Sequence, residues 1–258
     1  MSPAGCIGVF DSGLGGLSVL KALRKELPNE DFVYLADTGN APYGERGDEF
    51  VAQRSLAIAT ELVEQHRAKL LVVACNTATA AAVHVLRDTW PGLPVVGVEP
   101  GLKPAARLTR TGRVGVMATR GTLESQKFRA LHQGLEDQAV FVLQACDGLA
   151  DAIERNDTQR IEHLCARYTH ALGRFGMEHG EIDTLVLGCT HYPFALERLA
   201  QDVGPGVQFV ETGQPVARQA RALLASAQLL EDAGDGELRL LSTGDLAALE
   251  SFAARGLG

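Results

Sequence analysis

Four short apolar runs near the start of the chain recur in the same order further along, at a nearly constant offset of about 110 residues. Ile7-Gly8-Val9-Phe10 resembles Val114-Gly115-Val116-Met117, and Phe32 to Asp37 echoes Phe141 to Cys146. Leu71 to Thr77 matches Leu185 to His191, and Val98-Glu99 matches Val210-Glu211. Such a repeat restricts the chain to two copies of one supersecondary pattern. The runs carry few polar alternates, as parallel strands buried on both faces do. Helical patterns lie between them, such as Leu17 to Leu27, with Leu17, Leu20, Leu23 and Leu27 on one side, and Glu49 to His66. Strand and helix in regular alternation predict α/β domains built on doubly wound parallel sheets. The boundary between the copies falls near Glu99-Pro100-Gly101, and the second copy ends near Glu211. Pro215 to Leu230, Glu237 to Ser242 and Asp245 to Ala254 are left over, and pattern alone allows them to pack on either half.

Composition removes several classes of function. The chain has 258 residues with 46% hydrophobic and 22% charged content, and its formal charge is −8. That balance offers no field towards phosphate backbones or anionic lipid, so neither nucleic acid nor a membrane is expected as a partner. Ile7 to Phe10 lacks a basic flank, and Asn76, Thr77 and Thr79 interrupt the apolar stretch at 70–86, so no leader or span is expected and the protein should stay in the cytoplasm. The five cysteines, Cys6, Cys75, Cys146, Cys165 and Cys189, are an odd number without close spacing and should be reduced thiols. Without a CxxC or HExxH pattern, no metal site is expected.

Ligands of open α/β sheets bind beyond the carboxyl ends of the strands. Here those ends are small and polar: Asp11-Ser12-Gly13, Asp37-Thr38-Gly39, Cys75-Asn76-Thr77, Ala118-Thr119 with Gly121-Thr122, and Cys189-Thr190-His191. Cys6, Cys146 and Cys165 read as packing residues. Cys75 and Cys189 differ, since each ends a strand, leads into a predicted helix and precedes hydroxyl or amide side chains; a helix start favours the thiolate. On equivalent strands of two facing domains, such thiols would confront one another across a cleft. That arrangement suits inversion of a stereocentre, where one base removes a proton and a conjugate acid delivers another to the opposite face. Two other readings compete. Gly13-Leu14-Gly15-Gly16-Leu17-Ser18 is an imperfect GxGxxG with Asp37 about 20 residues on, as in nicotinamide-dinucleotide oxidoreductases. An amino-acid binding module without turnover would use the same pocket. Arg46 could hold a carboxylate, and His191 could orient Cys189.

Taken together, Phe10-Asp11-Ser12-Gly13 with Gly15-Gly16-Leu17-Ser18, Ala41-Pro42-Tyr43-Gly44 with Arg46, Ala74-Cys75-Asn76-Thr77-Ala78-Thr79, Ala118-Thr119 with Gly121-Thr122, and Gly188-Cys189-Thr190-His191-Tyr192-Pro193 resemble the glutamate racemases of the cofactor-independent aspartate/glutamate racemase superfamily. The His-Tyr-Pro after Cys189 favours glutamate over aspartate. The resemblance implies interconversion of L- and D-glutamate, supplying D-glutamate for peptidoglycan, without a cofactor. Cys75 would act on the α-proton of D-glutamate and Cys189 on that of L-glutamate. Asp11, Ser12, Pro42, Tyr43, Gly44, Asn76, Thr77, Thr119, Thr122, Thr190 and His191 would bind the substrate. The implied fold is two similar α/β doubly wound domains related by pseudo-two-fold symmetry, with the active site in the cleft between them. The C-terminal segment returns to the first, giving domains of 1–98 with 212–258 and of 99–211. A homodimer and a cell-wall precursor as activator, as in some relatives, are further expectations. Two positions depart from the family pattern: Cys146-Asp147 replaces a common Cys-Pro ahead of Glu154, and Glu211-Thr212-Gly213 stands where Asp-Ser-Gly is usual.

Overall fold

The structure is a computed structural model and describes residues 5–257. Numbered along the chain, the first part folds as β1 (Ile7–Asp11), α1 (Leu17–Glu26), β2 (Phe32–Ala36), α2 (Asp48–Glu64), β3 (Leu70–Val73), α3 (Asn76–Thr89) and β4 (Val95–Gly97). The middle part continues with α4 (Leu102–Leu108), β5 (Arg113–Ala118), α5 (Arg120–Glu124), α6 (Gln126–Gln133), β6 (Val140–Ala145), α7 (Leu149–Glu154), α8 (Thr158–Leu172), β7 (Thr184–Gly188), α9 (Leu196–Val203) and β8 (Gln208–Val210). The tail adds α10 (Gly213–Ser226), β9 (Leu238–Ser242) and α11 (Leu246–Gly256). These elements form two compact units, 1–98 with 213–258 and 99–212, of which residues 1–4 and 258 lie outside the described residues.

The first unit contains a five-stranded parallel sheet in the order β4-β3-β1-β2-β9. Every residue of β1, β2 and β3 is buried, which is why these strands read as continuous apolar runs. On one face Phe10, Val33, Leu35, Leu71 and Val73 pack with Val51, Ile58 and Leu62 of α2 and with Ala78, Val83 and Leu86 of α3. α1 packs against α10. The tail therefore belongs to this unit, with β9 paired to β2 from Phe32↔Leu238 to Ala36↔Ser242. A partly buried ion network holds its approach, where Lys69 Nζ lies 2.9 Å from the buried Glu30 and 3.1 Å from Glu231.

The second unit contains a four-stranded parallel sheet in the order β6-β5-β7-β8. With β5 to β8 set against β1 to β4 it repeats the first sheet's order strand for strand, as the sequence repeat demands. Val114, Val116, Val186 and Phe141 form its core with Leu102, Ala105 and Phe128. The sheets differ at one edge. β2 is covered by β9, whereas on β6 Val140 and Leu143 are 57% and 39% exposed.

In this strand order the chain leaves β1 towards β2 but leaves β3 towards β4 on the other side, so the sheet reverses direction between β1 and β3. The same reversal falls between β5 and β7. Open α/β sheets bind ligands beside such reversals, at the carboxyl ends of the two strands. Those ends carry Asp11 and Cys75 in the first unit, and Thr119 and Cys189 in the second.

Candidate functional site

In the first unit the polar groups meet at the end of β1. Asp11 is fully buried, and its carboxylate accepts the Gly16 backbone N–H and, at 3.1 Å, the Ser12 hydroxyl. Gly16 is required by this contact, because a Cβ there would lie 2.7 Å from the Asp11 Cβ and 2.9 Å from the Tyr34 hydroxyl. The Ser12 hydroxyl lies 3.6 Å from the Cys75 sulfur. Cys75 caps α3, its Sγ accepting the Ala78 N–H at 3.4 Å, so the helix N-terminus points positive charge at the sulfur. Asn76 and Thr77 are buried in the first turn of α3. Both polar atoms of the Asn76 amide lack a hydrogen-bond partner among the described residues, and an unmade buried bond of this kind costs about 1–3 kcal/mol. A polar ligand would recover that cost.

Pro42, Tyr43 and Gly44 lie on the loop between β2 and α2, where the Ala41–Pro42 peptide is cis. Pro42 is exposed and Tyr43 buried. Asp37 holds this loop. Its carboxylate takes two bonds from Arg54 at 2.9 and 3.0 Å, one from Tyr43 at 2.5 Å, one from Asn40 at 3.0 Å and one from Thr243 at 2.8 Å. Burial alone would raise the Asp37 pKa, but these donors outweigh it and hold the carboxyl below its ordinary range. Burial and the facing carboxylate together push Tyr43 well above a normal phenol, so it stays a neutral donor. The dinucleotide reading that used Asp37 loses its support, because this carboxylate is already engaged by donors of its own unit. Arg46 lies with its guanidinium 5.1 Å from the centre of the Phe50 ring.

In the second unit Cys189 is 7% exposed, and its sulfur lies 3.5 Å from His191 Nδ1. The other ring nitrogen, Nε2, lies 2.6 Å from Glu154 Oε1. Burial favours neutral imidazole, yet Cys189 and Glu154, facing its two nitrogens, outweigh burial and raise the His191 pKa well above the ordinary value. Here the expected helix start is corrected. The chain after Cys189 makes a short 3-10 turn, Tyr192–Ala195, before α9, so an imidazolium rather than a helix dipole faces this sulfur. Thr190 is buried. Thr119 caps α5 and donates its hydroxyl proton to Thr122 at 2.8 Å, so these two threonines bond one another at the end of β5. Glu154, which residue spacing alone leaves without a role, is the partner of the His191 ring. Only its position at the end of α7, not its sequence context, brings it to His191. Burial raises the pKa of Cys6, Cys146 and Cys165, the last to about 12, which marks them as packing thiols.

Comparison with known proteins agrees with the geometry over nearly the whole chain. Residues 7–220 match the family model described as Asp/Glu/Hydantoin racemase. A glutamate racemase of Ectopseudomonas mendocina is 45% identical over 247 residues, which span 95% of this chain and 92% of that one. Among solved structures, glutamate racemase isoform RacE1 from Bacillus anthracis superposes with a TM-score of 0.86 at 33% identity, covering 98% of this chain and 94% of the other. Escherichia coli glutamate racemase, solved with L-glutamate and the activator UDP-MurNAc-ala, gives a TM-score of 0.82 at 31% identity, covering 99% and 93%. The chain belongs to the Asp/Glu/Hydantoin racemase family.

Proposed function

We propose that this chain interconverts L- and D-glutamate by two-base proton transfer between Cys75 and Cys189, without a cofactor. The carrying observation is the pair of buried cysteines at equivalent strand ends, each beside polar side chains that can tune it: Ser12 and Asp11 for one, His191 and Glu154 for the other. The names of the relatives direct the reading to glutamate.

In this reading one cysteine enters as thiolate and the other as thiol. For L-glutamate the Cys189 thiolate takes the α-proton, leaving a carbanionic carbon whose charge spreads onto the adjacent carboxylate. The Cys75 thiol then gives its proton to the opposite face, and D-glutamate departs with the two sulfurs' protonation exchanged. D-glutamate runs the sequence in reverse. An unactivated α-carbon is a weak acid, so neighbouring donors must stabilise the developing charge. Asn76, with both amide atoms unpartnered among the described residues, and Thr77, Thr190, Thr119 and Thr122 are the groups assigned to that task. Pro42, Tyr43 and Gly44 present the loop backbone to the substrate, and the Asp37 hub holds them. The His191 ring, whose pKa is raised by the groups facing its two nitrogens, lies beside the Cys189 sulfur and orients it towards the substrate.

The product would feed peptidoglycan synthesis in the cytoplasm, by a homodimer, with a cell-wall precursor as activator. Among the described residues no helix is long and apolar enough to cross a membrane. Proton NMR of L-glutamate in D2O, with reduced protein and no added cofactor, tests the reading. The α-proton signal should disappear as D-glutamate forms. Persistence of the signal with folded protein, with and without a cell-wall precursor, refutes it.

A further inference from the structure

The C-terminal tail does more than extend the first sheet. β9 ends beside the start of the loop that carries Pro42, Tyr43 and Gly44, and the two segments are bonded through side chains. The Thr243 hydroxyl donates to Asp37 Oδ1 at 2.8 Å and accepts the Gly39 N–H at 3.1 Å, so both of its functions are directed at the loop. Thr38 and Ser242 hydroxyls meet at 2.8 Å. The approach is close enough to require glycine on both sides: a Cβ on Gly39 would lie 2.9 Å from the Thr243 carbonyl oxygen, and one on Gly244 would lie 2.6 Å from Thr38 Oγ1. Asp37 in turn accepts from Tyr43 at 2.5 Å and from Asn40 at 3.0 Å.

We infer that Thr243 is a positioning residue for the substrate loop: through Asp37 it sets Tyr43 and the flanking Pro42 and Gly44, so that a residue of the tail tunes substrate binding while touching no substrate. The inference rests on the proposed racemase function and deepens it. A hydroxyl that only tied down an exposed strand end would need no partner in a buried carboxylate already engaged by Arg54, Asn40 and Tyr43. With those donors still present, loss of the Thr243 bond leaves Asp37 charged and paired but frees the carboxylate, and Tyr43 with it, to shift.

The test is steady-state racemisation by Thr243→Val, Thr243→Ser and Gly244→Ala, with the wild-type chain assayed alongside. Thr243→Val keeps shape and β-branching but removes the hydroxyl. It removes both bonds, of which the one to Asp37 reaches Tyr43, and should raise KM for L- and D-glutamate alike by about fivefold, the scale of that one bond, with kcat changed less than twofold. Thr243→Ser should restore the wild-type KM, and Gly244→Ala, whose methyl must push Thr38 away, should reproduce the rise. Thr243 is exposed, so the variants should fold, and thermal melts confirm it. Wild-type KM in both Thr243→Val and Gly244→Ala, with only a lowered Tm, would show the contact to be structural and overturn the inference. A wild-type chain that leaves the glutamate α-proton in place refutes the proposed function, and the positioning role falls with it.

Discussion

Glu154→Gln isolates the charge behind His191. The glutamine keeps the size of the side chain and an acceptor oxygen, but removes the carboxylate that lies 2.6 Å from His191 Nε2. The His191 side chain is 7% exposed and that of Glu154 23%, so water screens the pair only in part. A charge-assisted bond contributes about 1.5–3 kcal/mol, and the exposure of Glu154 puts this one near the lower end, which corresponds to a rate loss of about 10- to 30-fold. Without that charge the imidazolium beside Cys189 is less favoured, and the sulfur loses the cation that faces it. The equilibrium constant between enantiomers is unity, so kcat/KM must fall by the same factor from L- and from D-glutamate. A one-sided loss cannot reveal which thiol was weakened. Isotope effects can. If Cys189 serves L-glutamate, its proton transfer becomes the slow step. The effect of α-deuteration should then grow for L-glutamate, and for D-glutamate it should shrink towards its equilibrium value. Initial rates followed by circular dichroism, with α-protonated and α-deuterated substrate of each hand, measure both. A loss under threefold with unaltered isotope effects refutes the role given to Glu154, and the reverse asymmetry exchanges the two thiols' assignments.

Two more predictions rest on the remaining titratable groups. Asp37→Asn should destabilise the protein by about 2–3 kcal/mol at pH 7, since it breaks a bidentate pair in which Asp37 is buried and the Arg54 side chain is 29% exposed. Because the folded carboxyl titrates below its unfolded value, that stabilisation is present above about pH 4 and is lost as pH falls through the folded pKa, so urea unfolding should show the two proteins converging in acid; a gap that widens on acidification refutes the account. Alkylation by iodoacetamide at pH 8 should modify Cys75 and Cys189, slowed by glutamate, and spare Cys6, Cys146 and Cys165, whose thiols burial holds protonated; peptide masses showing Cys146 or Cys165 labelled first would refute it.

The central strands β1, β2, β3 and β7 were legible because burial on both faces writes itself into consecutive residues, and the others were found through the repeat. The tail was not, since β9 is an edge strand with Arg239 exposed and the rest only partly buried, so its run carries a weak pattern; the family resemblance, not periodicity, assigned it to the first unit. At the site, residues whose role depends on neighbours in sequence were readable, such as Cys75 capping the helix that follows it. Residues whose role depends on a distant partner were not. Asp37 looks the same at a strand end whether it serves a dinucleotide or is engaged by Arg54, Tyr43 and Thr243, and only the folded arrangement distinguishes these. Glu154 meets a histidine 37 residues away, which no local spacing records.

The repeat also explains why the thiols share a position but not an environment. One strand order, used twice, delivers a cysteine to the end of the third strand of each sheet, beside the point where the sheet reverses. Thermodynamics treats the enantiomers alike, but a bound glutamate has its two carboxyl groups and its amine on different sides of the α-carbon, and these need different partners. Side chains around the thiols can diverge while the backbone repeat is kept: helix α3 and Ser12 for Cys75, a His–Glu pair for Cys189. In consequence, exchanging the two environments is not neutral. Placing histidine after Asn76 would set an imidazole at a helix N-terminus that already favours anions and disfavours its protonated form. The His–Glu device suits the cysteine whose strand leads into a short 3-10 turn, where no long helix supplies the charge.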